Sequence, residues 1–208
     1  MIKAFFLMFE GGPAWDRIVQ ARRSAGFIFF VHLLPMLLIV AVAEWYGLTH
    51  WGKWQPPIRD YKVFSHVEAT IFELVQFCFS IISVLICGRL LEIMGKTFHG
   101  RCTFTQAFTT VVFGLSPMYL LRLLDVARNM SPYAPWILGI GVSMWILYQG
   151  MPRIMQPDPT HAFGLYLSGI MVLILGTGAF RVLTAMYLEG RVNVAHSYLG
   201  RKLIMLAH

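Results

Sequence analysis

Five apolar stretches, each close to the roughly 20 residues that a helix needs to cross a ~30 Å hydrocarbon layer, occupy most of this chain. They are predicted over residues 26–44, 69–94, 103–126, 135–152 and 162–188, joined by connections too short to build a soluble domain. Lipid offers the backbone no hydrogen-bond partners, so stretches of this kind fold as helices that bond within themselves. Composition points the same way. Of 208 residues, 57% are hydrophobic and 13% charged, with a mean hydropathy of +0.64, where a soluble domain is about a quarter charged. The expected fold class is all-α: an integral membrane helical bundle of about five transmembrane helices with amphipathic terminal helices.

The flanks are amphipathic and basic. Residues 1–25 carry Phe5, Phe6 and Phe9, a Gly11-Gly12-Pro13 break, and then Trp15 and Ile18 opposite Arg17, Arg22 and Arg23. Such a segment is expected to lie in the membrane interface as a surface anchor, through Trp15, Arg22 and Arg23. Residues 189–208, too charged to span, are expected to form a second surface helix. Trp45, Trp51 and Trp54 mark the far end of the first span as interfacial anchors. No secretory signal is evident at the start, which reads as mature protein. The formal charge of +7 is scattered over helix ends rather than gathered in a stripe, so its expected partners are anionic lipid head groups and not nucleic acid. Lys and Arg divide almost evenly between the two sides. The group before the first span (Lys3, Arg17, Arg22, Arg23) favours an inner amino terminus.

Ionisable residues at membrane depth are costly and mark candidate sites. With an inner amino terminus, Glu44, Glu73, Arg122, Asp125 and Arg181 come from four different spans toward one leaflet and are expected to form a polar cluster, with Arg122 or Arg181 as the partner of Glu73. Arg89 and Glu92, three apart on one helix face, form a candidate pair near the other leaflet, with Arg153 close by. The hydroxyl-rich third span is expected to face its neighbours, and the small residues of the fifth to allow close helix approach. Cys78, Cys87 and Cys102 read as core filler. His32 is the one histidine well inside a span and reads as a hydrogen-bonded packing residue rather than one of the two axial ligands a membrane haem needs. No nucleophile elbow, HExxH, phosphate-binding loop or Rossmann fingerprint occurs. The chain is therefore read as non-enzymatic, with no cofactor, no metal site and no soluble substrate.

Three stretches carry a family resemblance: Phe113-Gly114-Leu115-Ser116-Pro117-Met118; Leu147-Tyr148-Gln149-Gly150-Met151-Pro152 leading to Pro159-Thr160-His161-Ala162; and the opening Pro13-Ala14-Trp15-Asp16-Arg17-Ile18. In this order they resemble the Yip family, small five-span membrane proteins named for interaction with Ypt/Rab GTPases, and most of all its short bacterial members. The resemblance implies a bundle with a cytoplasmic amino terminus, here in a bacterial inner membrane. In eukaryotic members it implies vesicle trafficking through Rab proteins. The expected function is that of an interaction or scaffold protein, or an accessory subunit binding other integral membrane proteins or itself. The terminal segments and the polar third span would be its contact surfaces. The alternative is a small transporter or channel using the Glu/Arg cluster.

Overall fold

The protein is described from a computed structural model, over residues 12–190 except 56, 58, 99–101 and 129. The expectations for residues 1–11 and for all but the start of the 189–208 tail lie outside the described residues. Helix α1 covers Gly12–Gln20, and a turn leads into α2, Ala25–His50. A short hairpin follows, β1 Lys53–Gln55 and β2 Asp60–Lys62. Then come α3 His66–Thr97, α4 Phe104–Leu121, α5 Tyr133–Met155 and α6 Ala162–Leu188.

Local chemistry sets these boundaries. Ser65 and Glu68 form a capping box that starts α3 before its apolar run, at His66, and Thr103 with Gln106 does the same for α4. Within α2, Pro35 has no N–H to give to the preceding turn, and the helix widens to a π turn over Phe29–Leu33 just before it. The helix then continues past Glu44 to His50, so Trp45 sits within it rather than at its end. After Leu121, α4 tightens into a 3₁₀ turn, Arg122–Val126.

Four helices are long and apolar enough to cross a membrane by length and composition: α2, α3, α4 with its 3₁₀ turn, and α6. Helix α5, with 23 residues, reaches ~34 Å at 1.5 Å per residue but is not among these four. Burial identifies the centre. In α4, 78% of the apolar window is inside the bundle, against 28–39% for the other three, so its hydroxyls turn inward. The expectation that this span offers an outer contact surface is corrected: its neighbours are the helices of its own chain. Phe108, Leu115, Leu147 and Met151 form the core around it.

Helix α1 is also corrected. Trp15 is no interfacial anchor but is 0% exposed. Its indole N–H donates to the Ile146 carbonyl of α5 at 3.1 Å, and its ring lies where a Cβ on Gly150 would stand. A notch of one missing side chain admits the indole, and burial of its large apolar area holds α1 against the bundle. Cys78 is likewise exposed on α3, whereas Cys87 and Cys102 are buried. Burial pushes the Cys102 thiol up to about 11.

The connection between α2 and α3 is a two-stranded hairpin. It pairs Lys53 with Lys62, Trp54 with Tyr61 and Gln55 with Asp60. Gly52 enters it at φ +69, against the Lys62 carbonyl, a conformation that favours glycine.

Candidate functional site

The 3₁₀ turn after α4 organises the charged cluster. With about three residues per turn, positions three apart stand one above the other, so Arg122 and Asp125 leave the turn on one side. Arg122 Nη2 is 2.6 Å from Glu44 Oε2 on α2, and Nη1 is 3.4 Å from Ser80 Oγ on α3. Gln76 Nε2 donates to the same Glu44 oxygen at 2.9 Å. Asp125 Oδ2 is 2.5 Å from Arg181 Nη2 on α6, and Arg181 Nε donates to the Pro132 carbonyl at 2.8 Å. Two buried ion pairs thus tie α2 and α6 to the turn that ends α4, and Ser80 and Gln76 join α3 to the first of them by hydrogen bonds.

Glu73 is on α3 and 6% exposed. Among the described residues neither of its carboxyl oxygens has a hydrogen-bond partner. The expected pairing of Glu73 with Arg122 or Arg181 is therefore corrected: Glu44 holds the first guanidinium, and Asp125 with the Pro132 carbonyl holds the second. Arg122 Nε and Arg181 Nη1 are also without partners among the described atoms. A cavity of about 40 Å³ opens between these arginines, Ser80, Thr177 and Thr184, room enough for a water molecule.

Lys53, which sequence reasoning passed over, stands beside the cluster at the hairpin. It is 3% exposed, and its ammonium donates to the Ala127 carbonyl at 3.0 Å. Burial lowers its pKa below the ordinary 10.5, outweighing the opposite pull of Asp125 and Glu44. The folded protein then releases this proton before the unfolded chain does. Stability is therefore expected to rise with pH from the lowered value toward 10.5. Melting curves in detergent from neutral pH to about 10 should show this rise in the wild type and lose it in Lys53→Met.

At the opposite end of α3, Arg89 Nη1 is 2.5 Å from Glu92 Oε2 and Lys96 Nζ is 2.8 Å from Oε1. Arg153 is not part of this group and pairs with Asp16 of α1 at 3.3 Å. Trp51 and Trp54 are exposed, as are Arg22 and Arg23, while Trp45 is half-buried and donates to Thr70 Oγ1 at 3.1 Å. His32 Nε2 is 3.0 Å from Ser116 Oγ. No group of three or more His, Cys, Asp or Glu among the described residues is placed to hold a metal ion.

The model of the Yip1 domain matches residues 6–180, most of the chain. The chain belongs to the Yip family. The match covers α1 to α5 and most of α6, and includes Glu44, Glu73, Arg122 and Asp125 of the charged cluster, while Arg181 lies one residue past its end. Yip proteins are membrane proteins of a non-enzymatic family that interact with other proteins. No curated protein and no solved structure matches the chain significantly.

Proposed function

We propose that this Yip protein is an accessory or scaffold subunit whose α5 face receives a transmembrane helix of another integral membrane protein. The supporting observation is the character of α5. It is not among the four helices long and apolar enough to cross a membrane by length and composition, yet Ile137, Leu138, Trp145 and Tyr148 are 54–63% exposed along one face. In their midst Gly141 has nothing within 4 Å of the position a Cβ would take. Small residues between large ones let a second helix backbone come close, which is how helices associate where lipid removes the hydrophobic drive. A bacterial inner membrane with the amino terminus in the cytoplasm is the setting this reading assumes. Solubilisation of native membranes in mild detergent tests it: the protein should elute with a partner in a complex of defined mass. Elution as a lone monodisperse monomer would count against the proposal.

One observation favours a second reading, a transporter or channel. Glu73, a buried carboxyl with no hydrogen-bond partner among the described residues, is the kind of group through which a proton or ion relay would pass. That reading expects flux in proteoliposomes that drops about tenfold or more in Glu73→Gln. Flux no greater than in empty liposomes would remove it.

A further inference from the structure

A second, larger hollow lies far from the charged cluster, where α1, the start of α2, the first turns of α4 and the end of α5 meet. It is a cleft of about 870 Å³, within the range of sites that hold small-molecule ligands. Its rim and floor differ in character. At the rim stand Arg22 and Arg23, with Phe27 and Val31 of α2 43% and 55% exposed beside them. At the floor lie Thr109 and Phe113 of α4, 8% and 6% exposed.

The backbone places the arginines there. Helix α1 ends at Gln20, Arg22 takes the left-handed conformation at φ 41, and Ser24 caps the next helix by accepting from the Phe27 N–H. The corner places both arginines at the cleft where α1 turns into α2. The Arg23 guanidinium carbon lies 4.7 Å from the centre of the Phe27 ring. Among the described lining residues there is no Asp or Glu to neutralise the pair.

We propose that this cleft is a binding site for an anionic phospholipid, its phosphate and charged head group held by Arg22 and Arg23 and its upper acyl chain lying along Phe27 and Val31 toward Phe113. Charge selects the head group, because two adjacent arginines favour a net negative lipid over a zwitterionic one. The apolar wall selects a lipid over a soluble anion, which has no use for exposed Phe27 and Val31. A second copy of the chain, itself at +7, would bring more positive charge to a positive rim. The site does not depend on the partner reading of α5, since the one residue of that helix lining it, Ile154, is not part of the Ile137, Leu138, Trp145 and Tyr148 face.

The test uses the full-length protein in detergent and a photoactivatable phosphatidylglycerol, with phosphatidylcholine for comparison and inorganic phosphate as competitor. Phosphatidylglycerol should bind more tightly than phosphatidylcholine, resist displacement by phosphate, and label residues 22–31 and 103–113. The R22Q/R23Q variant should weaken binding by about tenfold or more, and R22K/R23K should retain most of it. Labelling of the wild type reads the site even if a variant fails to fold. Equal binding of the two lipids, labelling spread over the lipid-facing sides of α3 and α6, displacement by phosphate, or binding seen only after deletion of residues 1–11 would each overturn the proposal.

Discussion

Arg122→Met should destabilise the protein by about 3 to 5 kcal/mol, because it leaves the carboxylate of Glu44 buried without its cation. Glu44 is 1% exposed, and its contacted oxygen receives Arg122 and Gln76 together. Glu44→Gln should cost a similar amount by stranding the guanidinium. The double variant should be less damaged than the sum of the two, since a neutral pair has no charge left to strand. Thermal unfolding of the four proteins in one detergent gives the cycle. Additive losses would mean that the 2.6 Å contact contributes nothing specific.

The second large effect is expected at the junction of α1 and α5. Trp15→Ala removes the largest fully buried side chain and should cost about 3 to 5 kcal/mol. Gly150→Val should release α1 by a different route, because the added side chain takes the space of the indole. The two changes act on one contact, so combining them should cost little more than either alone. Melting temperature, together with proteolytic cleavage of α1, would report both effects. If Trp15→Ala melts like the wild type, α1 is not held by the notch.

Much of this architecture is legible in the sequence, and the failures have physical causes. Helix α6 occupies 162–188 as read from its apolar run, because Pro157 and Pro159 precede it and Gly190 follows. Helix α3 starts at His66, three residues before the apolar run at 69 predicts, since a capping box extends a helix beyond its apolar run. The approach of Glu44, Arg122, Asp125 and Arg181 could be anticipated because each is a charge in an apolar setting. Their pairing could not, for it depends on a 3₁₀ turn and on neutral partners, Gln76 and the Pro132 carbonyl, that leave no mark in a charge pattern. Gln76 does follow Glu73 by three on the same helix face, a polar signal that apolar counting passed over. Trp15 misled for a simpler reason: an amphipathic helix looks the same whether its apolar face meets lipid or protein, and the glycine that decides it lies on a distant helix.

The buried ion pairs tie the bundle together, and the face of α5 is proposed as its outward contact. This division of roles is tested most directly by photo-crosslinking in native membranes, with a photoreactive residue at Trp145 and, as the control, at Met171 on the exposed side of α6, itself 63% exposed. A discrete protein adduct from position 145, with only lipid adducts from position 171, is the predicted result. Lipid adducts alone from both positions would contradict it.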